Sequence, residues 1–252
     1  MKQASKKHKL AKMKRKMASK LRKQRGIEKK RKRAIWKRRK LHRLNVFRKK
    51  STKSIIEYQF YSKSKSFSAS FSDVQFRHVN LKGATFTKCS FKNASFVGVE
   101  FWGTNLRKSN FTGAVFQHCV FVGPLLEGTN FNNATFENCI FVNTNFEGIK
   151  DFDRSSNGIR VLPVYPTFEL SLDLELAVNS LRDNAHILKY KILHLDSKKL
   201  NKLNVMLLLE KFSEKLLIQG LTYAKEYVKI DMPTISCLFN FLLKNKSQYA
   251  NI

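Results

Sequence analysis

The chain has 252 residues and a formal net charge of +31, with 49 Lys and Arg against 18 Asp and Glu. That length allows one or two modest domains and a tail. Four cysteines give little hint of a disulfide framework, and no apolar run approaches the roughly 18 residues that cross a bilayer.

The charge is concentrated in residues 1–53, which hold 26 Lys or Arg and a single acid, Glu28. Leu10, Met13, Met17 and Leu21 are spaced three, four and four apart, which would put a narrow apolar stripe on a helix until Gly26 interrupts it. A second stretch, from Ile27 to about Lys50, carries Ala34, Ile35, Trp36, Leu41, Leu44 and Phe47 among further bases. Like charges repel, so the segment should order only when a polyanion neutralises it. The run Lys29, Lys30, Arg31, Lys32, Arg33, then Trp36 and Lys37, Arg38, Arg39, Lys40, is the candidate nucleic-acid contact. Dense cations neutralise phosphates and an interleaved aromatic can stack on a base. Such contacts position a protein on nucleic acid without reading its sequence. A membrane-surface helix would need a broader apolar face than this one, and the blandest reading is a solvated tail. The start of the chain lacks the apolar core of a secretion signal, so a cytoplasmic protein is expected, or a nuclear one in a eukaryotic host.

Residues 54–70 read as a lead-in and N-terminal cap for a repetitive segment. From Phe71 to Phe146 a Phe or Leu recurs at every fifth position, with a small residue two places before it and usually Gly or Asn two places after. Five is the period of neither a helix nor a strand. A chain that turns a corner every five residues would bring every anchor to the same inner side, using Gly and Asn where φ is positive. Four corners close one coil, so residues twenty apart should stack at about 4.8 Å. The columns come out orderly: Phe71, Phe91, Phe111 and Phe131 form one, and Phe76, Phe96, Phe116 and Phe136 the next.

The triplets Ala-Ser-Phe, Ala-Thr-Phe, Thr-Asn-Leu, Ser-Asn-Phe, Thr-Asn-Phe and Ala-Val-Phe resemble the A-(D/N)-L-x-x pattern of pentapeptide-repeat proteins. The resemblance implies a right-handed quadrilateral β-helix of about four coils over residues 71–149. It also brings a rival function, since some members of that family mimic duplex DNA and bind type II topoisomerases. Mimicry needs an acidic surface, whereas residues 66–150 carry seven bases and five acids: Asp73, Glu100, Glu127, Glu137 and Glu147.

Outward positions are mostly polar, with one exception. Trp102, Val122 and Val142 fall in one column, and Val120 and Ile140 lie beside it. This apolar strip is a contact surface, to be covered by the chain's own C-terminal helices or, failing that, by a second copy or another protein. Cys119 and Cys139 would sit one coil apart as compact inward residues, and no disulfide is expected between them. His78 and His118, two coils apart at about 9.6 Å, are too distant to share a metal ion.

Residues 150–167 read as a linker, with a turn at Asn157-Gly158, and 168–252 as a mostly helical cap or small domain. Phe168, Leu170, Leu172, Leu174 and Leu176 alternate as in a strand, the last of them able to open a helix instead. Asp196 or Ser197 would cap a helix ending at Gly220. Others would cover about Leu221–Lys229 and run from Pro233 to about Lys244. No nucleophile elbow, phosphate loop or carboxylate pair is present, so the expectation is a non-enzymatic scaffold without cofactor or metal. Its basic arm would contact nucleic acid or ribonucleoprotein and its solenoid a protein partner; a topoisomerase-interacting or peripheral membrane protein are the alternatives.

Overall fold

The computed structural model describes residues 54–195 and 199–250. The basic run Lys29–Lys40, like the rest of residues 1–53, lies outside them, as do Asp196 and Ser197.

Among the described residues eleven short parallel strands wind into a solenoid. Strands β1 (Ile55–Glu57), β3 (Gln75–Arg77), β5 (Ser95–Val97), β7 (Val115–Gln117) and β9 (Thr135–Glu137) form one face. On a second face, β6 (Glu100–Trp102), β8 (Val120–Val122), β10 (Cys139–Val142) and β11 (Ile159–Leu162) pair in that order. The third contains β2 (Lys65–Phe67) and β4 (Thr85–Thr87), continued by bridges from Thr85 to Asn105 and Asn105 to Leu125. Bridges alone define the fourth, through Ser70, Ser90, Asn110, Asn130 and Lys150. Every pairing on all four faces is a step of twenty residues.

The corners explain the period. φ is positive at every fifth residue from Tyr58 to Gly148, and Gly or Asn occupies most of these positions between Gly83 and Gly148. Inside, the aromatic columns stack face to face: Phe91 on Phe111 at 4.7 Å, Phe96 on Phe116 at 4.8 Å and Phe121 on Phe141 at 4.3 Å between ring centroids. Rings of neighbouring columns meet at steep angles, as Phe71 and Phe86 do at 89°. Each favourable ring pair adds about 1 kcal/mol beyond the area it buries. The small inward residues have a second task where they are polar. The hydroxyls of Thr104, Ser109 and Thr129 donate to the carbonyls of Leu81, Phe86 and Leu106, each 23 residues earlier. Cys119 and Cys139 do the same with their thiols, toward Phe96 and Phe116 (3.4 and 3.5 Å), and both are free cysteines.

The solenoid is longer than the four coils expected from Phe71–Ile149. It has about five turns, because residues 54–70 form a coil of their own and β11 adds a rung beyond the regular repeat. The early coil escapes the pattern because Ile56, Tyr61 and Ser66 occupy its anchor positions. Much of the expected linker is therefore solenoid. Gly158 makes the passage possible, since a Cβ there would lie 1.8 Å from the Phe136 carbonyl oxygen. Phe152 plugs this end, with its ring 5.3 to 5.5 Å from those of Phe131, Phe136, Phe141 and Phe146.

The C-terminal region is helical: α1 (Leu172–Ser180), α2 (Ala185–Leu188), α3 (Lys202–Leu209), α4 (Glu214–Tyr227), α5 (Ile235–Lys244) and α6 (Lys246–Tyr249). Leu172, Leu174 and Leu176 belong to α1, not to a strand, and Phe168 and Leu170 lie in the irregular segment before it. Ser171 caps it by accepting from the Leu174 N–H, Asp173 and Glu175 favour its N-terminal dipole, and Leu174, Ala177 and Val178 form its buried side. The single helix expected to end at Gly220 is two. Asn201 caps α3, Ser213 caps α4, and Gly220 lies inside α4. A Cβ at Gly220 would sit 3.0 Å from Leu242 and from the Tyr249 ring, so this glycine permits close packing in place of ending a helix. Asn184 ties α2 to α4, donating to the carbonyls of Lys225 and Val228 at 3.0 Å each. Among the described residues no helix is long and apolar enough to cross a membrane.

Candidate functional site

The apolar strip lies on the second solenoid face, where the helices pack. Val120, Ile140 and Val142 are buried in one core with Leu174, Val178, Leu203, Leu217 and Leu238, and Trp102 and Val122 pack against the same cluster. All five strip residues are thus brought together, and the chain's own C-terminal region covers them. Trp102 meets Tyr165 edge to face at 6.1 Å, and the Lys82 ammonium lies 5.1 Å from the Trp102 ring.

At the edge of this strip is a polar junction. Glu100 is 4% exposed, two residues before Trp102 and in the column of Val120 and Ile140. One carboxylate oxygen accepts from the Ile235 N–H at 2.6 Å, and the other accepts from Asn80 Nδ2 at 3.0 Å. Asn80 also donates to the Pro233 carbonyl at 2.8 Å. Glu100 therefore caps α5 from another element, in place of the Thr234 side chain, which makes no capping bond to the helix N–H groups. Burial pushes its pKa up to about 7, against the Ile235 N–H and the Lys82 charge, which pull it down. Burial likewise lowers the pKa of Lys82. Beside the junction, Gly98 has φ +62°, and a Cβ on it would fall 2.6 Å from Ser236 Oγ and 2.7 Å from His78 Nδ1. The solenoid corner at Gly98 is therefore where the first turn of α5 comes to rest. In the sequence Glu100 reads as one of the surface acids. The signal against that reading is its column, since the two residues above it, Val120 and Ile140, are apolar.

The other histidines fall apart as a site. His78 stacks on Tyr58 at 5.2 Å, with its pKa lowered by burial, whereas His118 is exposed. Among the described residues no group of His, Cys, Asp and Glu is arranged to hold a metal ion. A second charged cluster joins α2 to the segment before α5. Asp231 accepts from His186 Nδ1 at 2.9 Å, from Lys189 at 2.8 Å and from the Tyr190 hydroxyl. Those donors hold the Asp231 carboxyl well below the usual carboxylate range, Lys189 foremost.

The acids left outside do not form a negative track. Arg107 lies 3.5 Å from Glu127, and Gln117 donates to Glu137 at 2.7 Å.

Two models of pentapeptide repeats match the chain, one of eight copies over residues 69–107 and one of nine copies over 106–156. Among solved structures the chain is similar to a pentapeptide repeat protein of the Arabidopsis thaliana thylakoid lumen, at 20% identity and TM-score 0.24, covering 51% of this chain and 75% of that one. It is also similar to a pentapeptide repeat protein of Nostoc, at 15% identity and TM-score 0.25, covering 40% and 84%. A third is QnrB1, a plasmid-mediated fluoroquinolone resistance protein, at 20% identity and TM-score 0.22, covering 45% and 62%. No curated protein matches the chain. Residues 69–156 belong to the pentapeptide-repeat family.

Proposed function

We propose that this protein is a non-enzymatic binding scaffold whose basic arm, residues 1–53, contacts nucleic acid or ribonucleoprotein while its solenoid presents a surface to a protein partner. The observation that carries this reading is the segregation of charge. Residues 1–53 contribute 26 of the 49 Lys and Arg of the chain, against one acid, and the repeat segment is close to neutral. A polyanion therefore meets the arm first and releases counterions from it, without sequence preference. The solenoid face that carries the strip is taken by the helices, so the partner surface belongs to the other three faces. These expose short side chains such as Asn93, Asn133, Thr135 and Asn138 on a backbone pinned by stacked rings.

A pull-down of full-length protein and of a variant lacking residues 1–53, each with and without nuclease, tests the arm. Nucleic acid should be recovered with the full-length protein alone, and affinity should fall steeply with salt. A recovered set that neither nuclease nor the deletion alters would refute the arm's role. If the deletion variant retains protection of a type II topoisomerase, the solenoid carries the function by itself.

A further inference from the structure

Helices α1 and α4 frame an open groove on the helical region. They run parallel. Ser171, which caps α1, donates to Glu214 in the first turn of α4 at 2.5 Å, and Lys225 near the end of α4 lies 3.2 Å from Asp183, just past α1. The groove between them has a volume of about 760 Å³ and is lined on its apolar side by Leu176, Ala177 and Ile218. Leu172 and Leu176, four residues apart on α1, are 72% and 59% exposed. A single exposed leucine is ordinary, but a pair at helical spacing beside an apolar-lined groove marks a surface that another element can cover.

The rim says what covers it. Asp173, Glu214 and Glu226 line the groove against Lys215 and Lys225, and Lys225 is already engaged by Asp183. The charge left free on this rim is negative, in a chain whose formal charge is +31. α1 has nine residues and is thus about 13 Å long, enough to seat roughly two to three turns of a third helix.

We propose that the α1–α4 groove binds a cationic amphipathic helix of a partner protein. Its apolar face lies on Leu176, Ala177 and Ile218, and its Lys and Arg side chains reach Asp173, Glu214 and Glu226. This is recognition of a helix in a groove, with anchors at successive turns. The same carboxylates repel an anionic membrane surface. The groove shares no residue with the basic arm or with the solenoid faces, so it stands or falls independently of the function proposed above.

The test uses the full-length protein and a fluorescent leucine–lysine amphipathic peptide of about 15 residues. Leu176→Asp should weaken binding by about tenfold or more. Leu172→Asp, at the more exposed position, should weaken it in the same direction without disturbing the fold, and unchanged circular dichroism confirms that each variant is folded. Asp173→Lys combined with Glu226→Lys should lose the lysine peptide and gain a leucine–glutamate peptide at the same site. Because the arm is intact in every variant, only the difference from wild type is read. The proposal is overturned if neither aspartate variant changes lysine-peptide binding, or if the glutamate peptide binds wild type with the same sensitivity to Leu176→Asp. Self-association of the wild type that Leu176→Asp abolishes would assign the groove to a second copy and also overturn it. So would phosphatidylserine vesicles whose binding to the protein falls on Leu176→Asp as far as that of the lysine peptide does.

Discussion

Glu100 and Ile235 are 135 residues apart in sequence, and a 2.6 Å hydrogen bond from the Ile235 N–H to the Glu100 carboxylate joins the solenoid to α5. The bond lies at the edge of the strip formed by Trp102, Val120, Val122, Ile140 and Val142. The protonation state of one side chain therefore acts where the helices meet the β-structure.

This predicts an unusual pH profile. The pKa of Glu100 is raised from 4.5 to about 7 by burial, so its contribution to stability is fully present below pH 4.5 and is lost as pH rises through 7. The full difference is on the order of 3 kcal/mol. His194 has the opposite sign. Burial lowers its pKa from 6.5 to about 4, with the Arg182 charge adding to the effect, so its contribution is present above 6.5 and lost as pH falls through 4. In wild type the two trends oppose each other between pH 4.5 and 6.5. Glu100→Gln removes one of them. Its guanidinium unfolding midpoint should then rise with pH across that range, while the wild-type midpoint stays comparatively flat. Parallel profiles for the two proteins would show that Glu100 does not titrate in this range.

The corner at Gly98 gives a comparison that separates strain from contact. Gly98 and Gly103 both have positive φ, +62° and +55°. A Cβ at Gly103 meets nothing within 4 Å, whereas one at Gly98 meets Ser236 and His78 below 3 Å. Gly103→Ala should therefore cost about 1 to 2 kcal/mol, from left-handed backbone strain alone. Gly98→Ala should cost more and should also loosen α5. Trp102 fluorescence in a Trp36→Phe background reads that loosening, because these are the two tryptophans of the chain. Equal effects of the two substitutions would mean that Ser236 and His78 simply move aside.

The regular part of this architecture is legible in the sequence because each repeat restates its physics: one inward ring, one small inward residue and one left-handed corner. The first coil is hidden because Tyr61 and Ser66 take anchor positions without being Phe or Leu. The leucines from Leu170 to Leu176 mislead because alternation and a helical face share members over so short a stretch. The Ser171 cap and the buried pair Ala177 and Val178 decide for a helix. Glu100 passes for a surface acid because its partner is Ile235, and no local pattern announces a hydrogen bond between positions so far apart. The hydrophobic strip is visible, since Val120 and Ile140 stand out among polar neighbours. Which helices cover it depends on tertiary packing.

The aromatic interior should tolerate shape changes unequally. Phe111 is fully buried, stacked on Phe91 at 4.7 Å and on Phe131 at 5.2 Å. Phe111→Ala opens a cavity between two rings and should cost about 3 to 5 kcal/mol. Leu106 and Leu126 already serve as anchors in the neighbouring column, so Phe111→Leu should cost markedly less. Denaturant unfolding of both variants checks the order; a leucine as damaging as the alanine would mean that continuous ring stacking, more than filled volume, sets the stability of the coil.

The Asp231 cluster should behave as an exposed ionic clamp. Its carboxyl is held below the ordinary range by Lys189, Tyr190 and His186, so its contribution is present above about pH 4 and is lost as pH falls further. The side chains of Asp231 and Lys189 are 41% and 60% exposed, which screens the pair, and Asp231→Asn should cost only about 1 kcal/mol at neutral pH. High salt should shrink that difference. His186 donates to the same carboxylate, and its backbone carbonyl accepts from the Met232 N–H at 3.1 Å, so the clamp also fixes the turn that leads into α5. Asp231→Asn should therefore raise amide exchange at Met232 before it lowers global stability. Unchanged exchange at Met232 would limit Asp231 to a surface charge contact with no hold on that turn.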